Sequence, residues 1–365
     1  MISEKLSITK FQLFFLLIQS QIGIGLLSLP NIVQKSAKSD GWISIILAGV
    51  VIQFLMVVYY LLLKRYPDDL LSNITEKILG FLLGKVVNFI IYIYFILTGS
   101  LSLILMVKII NLYLLPVTPG WVISLLVICA CVYLTTSDLR IIARFFVLVS
   151  TLIILLLFTN IVLAFYIPKE IQYILPIGSA GTKNILIGSN SALLAMLGFE
   201  GLLFMFPYVI HNTKGLLKTT SFANLFVTSF YTFITFLCLI KFSPEQLQQI
   251  REPVLYLFRG LAYKMFDRID LIFLSIWIVP MTTSIIMYLF LASKSISGQK
   301  MSYKKTVLVN GVLIFLISLI PHTDEITNLM NKYVSYFSYA VIMVLPVFLL
   351  ILSFIFKRHE RGVTN

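Results

Sequence analysis

Charge is scarce in this sequence. Only 12% of its 365 residues are Asp, Glu, Lys or Arg, whereas 59% are hydrophobic and the mean hydropathy is +0.99. A soluble domain carries about 25% charged residues, so this composition excludes a water-soluble globular protein. It predicts an all-α protein that crosses the membrane several times. The longest polar connection runs only from about Lys241 to Asp270, so we expect residues 1–365 to form a single integral membrane domain.

Cysteine and histidine are also rare, with three of each. The cysteines lie inside apolar runs, at Cys129, Cys131 and Cys238. They therefore predict buried small side chains, neither a disulfide framework nor a metal cluster. The histidines lie in loops or the tail without metal-ligand spacing. The sequence has no Gly-x-Ser-x-Gly motif and no phosphate loop. We expect a protein that is not an enzyme and has no cofactor or metal.

The chain has a net charge of +13, from 28 basic and 15 acidic residues. The basic residues stand at the ends of apolar segments and form no patch, so they do not predict nucleic-acid binding. With both termini cytoplasmic, 17 basic residues fall on the cytoplasmic side and 10 on the other, which is the expected bias. The basic tail from Lys357 to Arg361 is expected to contact membrane lipid at the inner leaflet.

Apolar windows of about 20 residues predict ten membrane spans. Their approximate bounds are 10–36, 41–63, 84–111, 120–136, 143–167, 185–210, 218–240, 269–294, 304–320 and 334–356. The fourth and ninth are short for a bilayer. Two connections predict helices outside the spans: an amphipathic interfacial helix within 66–83 and an external helix beginning near Pro244.

Two of these spans are interrupted by similar glycine motifs. The first motif is Gly-Ile-Gly-Leu-Leu-Ser-Leu-Pro from Gly23 to Pro30, and the second is Gly-Phe-Glu-Gly-Leu-Leu-Phe-Met-Phe-Pro from Gly198 to Pro207. The glycines that precede Leu-Leu lie 176 positions apart, about half the chain. Paired glycine-interrupted helices in two halves are typical of inverted repeats with a midplane binding site. We therefore predict a five-plus-five repeat, with repeat one at about 10–167 and repeat two at about 185–356.

Unwound backbone at these glycines offers polar groups to a ligand. N–H groups at the amino end of a half-helix attract an anion, and carbonyls at the other end attract an ammonium or a metal cation. Both ends together suit a zwitterion such as an amino acid. The alternative is that the glycines only permit close helix packing.

Glu200 is the carboxylate near the middle of a span, where a charge is costly. It would bind a ligand's ammonium, carry a coupling proton, or brace the unwound segment through hydrogen bonds. In the eighth span the hydroxyls of Thr282, Thr283 and Ser284 form a candidate ion site, although such hydroxyls often bond back to their own helix. Lys108 lies near the end of its span and is expected to extend its amine outward.

Further motifs carry a resemblance to a known family. They are Ile22 to Pro30, Asp40-Gly41-Trp42-Ile43, Ser137-Asp138-Leu139-Arg140, Leu197 to Glu200, Trp277 and the Thr282-Thr283 pair. In their order and spacing the chain resembles the amino acid–polyamine–organocation superfamily and, within it, the B subunits of spore germinant receptors.

That resemblance implies a LeuT-type fold with broken helices 1 and 6. It also implies a nutrient germinant, typically an amino acid, as ligand, and an A-type membrane subunit and a C-type lipoprotein as partners in the spore inner membrane. The implied ligand site comprises Ile22, Gly23, Ile24, Gly25, Leu197, Gly198, Phe199, Glu200 and Gly201, with Thr98 and Ser100 as wall. Gly201 stands where bulkier residues can occur in relatives, which suggests a larger pocket.

Two principal functions follow. The first is a germinant-sensing receptor subunit, and the alternative is a proton- or sodium-coupled amino-acid transporter; a scaffold without its own ligand is a third. Fold alone does not choose between them. The fifth span lacks an internal lysine of the kind that some proton-coupled relatives use, which favours the sensor.

Overall fold

A computed structural model describes residues 7–23, 25–166, 169–209, 215–259, 268–296, 302–320 and 323–355. The described chain is helical apart from one isolated bridge between Ile8 and Val209. Its α-helices are α1 Lys10–Gln21, α2 Gly25–Ala37, α3 Gly41–Lys64, α4 Leu71–Leu79, α5 Phe81–Tyr113, α6 Gly120–Thr135, α7 Leu139–Tyr166, α8 Thr182–Ala195, α9 Leu202–Met205, α10 Leu216–Lys241, α11 Pro244–Gln249, α12 Pro253–Arg259, α13 Ile269–Ile296, α14 Tyr303–Ser318, α15 Asp324–Ser338 and α16 Leu345–Ile355.

Six helical stretches within the described residues are long and apolar enough to cross a membrane. They are Gly25–Lys64, Phe81–Tyr113, Leu139–Tyr166, Leu216–Lys241, Ile269–Ile296 and Asp324–Ile355. A seventh is added if α8 and the segment Phe199–Tyr208, bent by 55°, count as one span. The protein is therefore an integral membrane protein. The predicted count of ten also includes shorter helices such as α6 and α14, each of 16 residues, and stays a prediction.

The centre of the bundle is formed by α5, which packs along α13, and by the helices around the two glycine motifs. There α8 packs against α2 and α3, and α10 packs against α1 and α3. Large apolar side chains such as Phe54 and Leu82 point away from the bundle, as lipid-facing residues do. Cys131 and Cys238 are buried as predicted, but Cys129 is exposed because two residues turn an α-helix by about 200°.

Both connections that were predicted to hold helices do so. The segment 66–83 contains α4, and the segment after Lys241 contains α11, whose start is capped by the side chain of Ser243. α11 is held to α2 because the amide of Asn31 donates to the carbonyls of Leu247 and Gln248, at 2.8 and 2.9 Å.

A further irregularity was not predicted from the sequence. Between α15 and α16 the chain forms a π-helical segment, Tyr339–Val344, a geometry that is rare and frequently found at functional sites. Its carbonyl at Ile342 accepts a hydrogen bond from the hydroxyl of Tyr59 at 2.7 Å. Tyr59 in turn stacks on Phe199, with ring centroids 6.0 Å apart, so the π-helical segment adjoins the second glycine motif.

Candidate functional site

The helices end at both glycine motifs. α1 ends at Gln21 and α2 begins at Gly25. In the second motif α8 ends at Ala195, and a 3-10 turn at Phe199–Gly201 leads into α9. Ile24, one of the predicted ligand residues, lies outside the described residues. Backbone groups near both interruptions therefore lack their usual helical partners.

One glycine of each interruption packs against the backbone of the other interruption. A Cβ atom at Gly25 would lie 2.5 Å from the carbonyl oxygen of Ala195, and one at Gly198 would lie 2.3 Å from that of Ser20. Gly198 also has a φ of +125°, which disfavours any residue with a side chain. Close packing, the alternative to a ligand role, thus accounts for Gly25 and Gly198.

The remaining two glycines face side chains. A Cβ at Gly23 would lie 2.8 Å from the hydroxyl oxygen of Ser284, and one at Gly201 would meet the methyl ends of Met287 and Met205 at 2.8 and 3.0 Å. Flexible methionine ends can move aside, so the neighbours of Gly201 leave room for a small side chain there.

One tyrosine hydroxyl contacts backbone carbonyls at both interruptions. The hydroxyl of Tyr231, on α10, donates to the carbonyl of Gln21 at 2.9 Å and also lies 3.4 Å from the carbonyl of Ala195. These carbonyls are at the ends of α1 and α8, and Tyr231 is fully buried. An unsatisfied buried carbonyl costs about 1–3 kcal/mol, so this phenol stabilises the place where both helices stop.

Glu200 is fully buried and bonded within the protein. Its Oε2 accepts the backbone N–H of Gly198 at 2.7 Å, and its Oε1 accepts the hydroxyl of Tyr94 at 3.2 Å. The hydroxyl of Tyr288 faces the same carboxyl. Of the three roles considered for Glu200, these contacts correspond to bracing the unwound segment.

A cavity of about 270 Å³ lies beside the interruptions, and we call it the central cavity. It is lined by Ser20, Gln21, Gly23, Gly25, Ser28, Ile32, Thr98, Leu101, Ser102, Leu105, Ser191, Leu194, Ala195, Leu197, Ser284, Tyr288, Asn331, Val334, Ser335 and Ser338. Its volume lies just below the range of about 300–1,000 Å³ for pockets that hold drug-sized ligands, so it suits a smaller molecule.

The central cavity includes some of the predicted site residues and not others. Gly23, Gly25, Leu197, Thr98 and Ser284 line it. Among the described lining residues we do not find Ile22, Gly198, Phe199, Glu200, Gly201, Ser100, Thr282 or Thr283. Ser100 is buried with its hydroxyl bonded to the carbonyl of Ile96 at 2.8 Å, because a residue two positions from Thr98 lies on another face of α5. The ligand role of all these residues stays a prediction.

One wall of the central cavity was missed by the sequence analysis. It is formed by Asn331, Val334, Ser335 and Ser338 on α15. The signal was available, because polar residues at positions 331, 335 and 338 recur at helical spacing and share one face of α15. It was overlooked because this helix lies far from either glycine motif in the sequence.

The three hydroxyls of the candidate ion site do not face the same way. Thr283 donates to Oε1 of Gln19 at 2.9 Å, and the hydroxyl of Ser284 lies 3.4–3.5 Å from the carbonyls of Gln19 and Ser20. Thr282 instead bonds back to its own helix at 2.8 Å. The described residues contain no cluster of three His, Cys, Asp or Glu side chains that could hold a metal ion. An ion at Thr283 and Ser284 stays a prediction.

A second cavity of about 420 Å³ adjoins the central cavity, and we call it the charged cavity. It shares Ser28 and Leu105 with the central cavity. Asp324 in its wall pairs with Lys108 at 2.8 Å and with Arg251 at 3.3 Å. Lys108 thus makes an ion pair within the protein. The sequence predicted that its amine would extend outward but did not predict Asp324 as its partner.

Comparison with known proteins gives the family. The family model described as "Spore germination protein" matches residues 7–327. The chain belongs to this spore germination family. The match covers most of the chain, including both glycine motifs.

Individual relatives in this family are similar over nearly their whole length. The chain is 26% identical to the spore germination protein GerQB of Bacillus cereus, over 94% of this chain and 95% of that protein. It is 26% identical to the spore germination protein YndE of Bacillus subtilis, over 99% of this chain and 100% of that protein. With spore germination protein A2 of Bacillus subtilis the identity is 25%, over 99% and 98% of the two chains.

Solved transporters share the fold. The structure resembles MhsT in complex with L-phenylalanine, with a TM-score of 0.66 and 14% identity over 94% of this chain and 88% of that one. It also resembles a Na⁺-coupled sialic acid symporter, with a TM-score of 0.68 and 12% identity over 93% and 79%. These likenesses support the LeuT-like fold.

Proposed function

We propose that this protein is the ligand-sensing membrane subunit of a spore germinant receptor. The observation that carries the proposal is the central cavity, which lies between the interrupted helices and has a size suited to a small molecule. The spore germination family of the chain supports the biological setting. The ligand is an amino acid, and the chain acts with an A-type membrane subunit and a C-type lipoprotein in the spore inner membrane.

The proposal includes a finer architecture. The chain forms one domain over residues 1–365 with ten spans, in two inverted repeats of five, and both termini are cytoplasmic. Helices 1 and 6 of this arrangement correspond to α1 with α2 and to α8 with α9. Supporting observations are the helix ends at Gln21 and Ala195 and the 55° bend after α8.

Ligand polarity follows from the helix ends. α2 begins at Gly25 beside the central cavity, and the first N–H groups of a helix favour an anion such as a carboxylate. The carbonyl ends of α1 and α8 lie next to it and favour an ammonium. Glu200 braces the second interruption from behind the cavity wall and is not a direct ligand contact in this proposal.

The test measures binding and uptake of a labelled amino-acid panel by proteoliposomes that contain the purified chain, with and without a proton or sodium gradient. We expect saturable binding without gradient-driven accumulation. Accumulation above the bound amount would identify a coupled transporter, and an absence of saturable binding for every amino acid would refute the sensing role.

A variant pair links binding to the central cavity. Gly23→Ala places a Cβ in the cavity wall near Ser284 and should weaken binding. Gly201→Ala is the matched control, because its Cβ would meet methionine methyl groups away from the described lining. Equal affinities for both variants would show that the ligand binds elsewhere.

A further inference from the structure

Hydroxyl groups dominate the polar lining of the central cavity, and most of their protons are already donated. On α5 and α15 these hydroxyls belong to Thr98, Ser102, Ser335 and Ser338. Each donates to the carbonyl four residues earlier in its own helix, at 2.8, 2.9, 2.8 and 2.8 Å respectively. A hydroxyl has one proton and two lone pairs, so these groups present only acceptors to the cavity.

The opposite wall repeats the pattern. Ser20, Ser191 and Ser284 also donate to carbonyls four residues earlier. The amide of Gln21 donates to the carbonyl of Leu17 at 3.3 Å, and its Oε1 is buried without a partner among the described residues. The amide of Asn331 and the hydroxyl of Ser28 can donate as well as accept, so they do not reverse the excess of acceptors.

Charge is missing from the same surface. None of the described lining residues is Asp, Glu, Lys, Arg or His. An ionised ligand side chain would therefore lose its hydration without gaining a countercharge, which is strongly unfavourable in a buried site. The charged groups nearby, Lys108, Arg251 and Asp324, line the charged cavity instead.

We infer that the central cavity selects an amino acid whose side chain is uncharged and donates a hydrogen bond, namely a hydroxyl or a carboxamide. This inference rests on the proposed function, since it assumes an amino-acid ligand in this cavity. The side chain lies against the acceptor wall of α5 and α15, and the ligand carboxylate lies towards the start of α2.

Two isosteric ligand pairs test the inference with the purified full chain in lipid nanodiscs, by competition against labelled L-threonine. L-valine has the shape of L-threonine without its hydroxyl and should bind about tenfold more weakly, the value of one neutral hydrogen bond. L-aspartate has the shape of L-asparagine with a charge and should bind about a hundredfold more weakly.

Single substitutions test whether the α5 and α15 wall causes the preference for L-threonine over L-valine. Ser335→Ala removes one acceptor and should reduce the ratio of L-threonine to L-valine affinity by about threefold, and Ser102→Ala provides an independent second variant if the first unfolds. Ser275→Ala is the matched control, because Ser275 makes the same bond to its own helix at 2.8 Å but is exposed and is not a lining residue.

The outcomes separate the two proposals. Saturable binding in which L-valine equals or exceeds L-threonine, or L-aspartate equals or exceeds L-asparagine, would overturn this inference and leave the proposed function standing. Saturable binding by no amino acid, measured directly with labelled compounds, would overturn both. Loss of the L-threonine preference in Ser275→Ala as well as in Ser335→Ala would overturn the assignment to the α5 and α15 wall.

Discussion

Replacing Gly198 with alanine should strongly destabilise the protein. The new Cβ would lie 2.3 Å from the carbonyl oxygen and 2.4 Å from the carbonyl carbon of Ser20, and φ at this position is +125°. The backbone conformation costs about 1–3 kcal/mol for a residue with a side chain, and forcing extra volume into packed backbone costs about 1–3 kcal/mol more. The sum of roughly 2–6 kcal/mol is a large part of a domain's usual stability.

The matched change is Gly201→Ala, three residues later in the same interruption. Its φ is −53° and its Cβ would meet only methionine methyl groups, so we expect a loss below about 1 kcal/mol. The assay is the midpoint of thermal unfolding in detergent, followed as loss of the monodisperse species, because unfolding of such proteins is commonly irreversible. Equal midpoints for the two variants, or a Gly198→Ala midpoint equal to that of the unmodified chain, would refute the packing argument.

Three further changes test other contacts by the same thermal assay. Glu200→Gln replaces one acceptor oxygen with a donor that faces Gly198 N–H or the Tyr94 hydroxyl. We therefore expect the free energy of unfolding to fall by about 1–3 kcal/mol while ligand affinity is retained. Lost affinity at an unchanged midpoint would contradict the bracing role. Tyr231→Phe leaves the carbonyl ends of α1 and α8 without their phenol and should also cost about 1–3 kcal/mol, and an unchanged midpoint would mean that water replaces it. Asp324→Asn breaks two exposed ion pairs and should hardly move the midpoint at any salt concentration, so a large salt-dependent shift would disagree.

The longest membrane helices were predictable from hydropathy, because a span that crosses the bilayer needs a long apolar helix. The periodic apolar runs predicted α5, α7, α10 and α13 with boundaries close to those observed. The π-helical segment at Tyr339–Val344 was not predicted in this way, although Pro346 follows it and lacks the N–H that would bond the carbonyl of Ile342. The hydroxyl of Tyr59, 283 residues away in the chain, donates to that carbonyl instead, and a single sequence does not reveal this partner.

The location of the interruptions was predictable from the sequence. The atoms that face each glycine were not. The sequence analysis placed both Gly25 and Gly201 in the ligand site. In the structure a Cβ at Gly25 meets the backbone of Ala195, and one at Gly201 meets methionines. Which atoms face a glycine is set by the helices packed across it, and a single sequence does not contain that information.

Helix packing and the lining of the central cavity meet at Gly25. Gly25 both lines the central cavity and packs against the backbone of Ala195, while the Tyr231 hydroxyl lies near the carbonyls that end α1 and α8. A ligand held between these helix ends would therefore change the balance of contacts in both interruptions at once. Because Tyr59 connects the second interruption to the π-helical segment, that change would reach α15 and α16 directly. A sensor needs such a connection between its ligand and a distant helix, whatever partner then reads it.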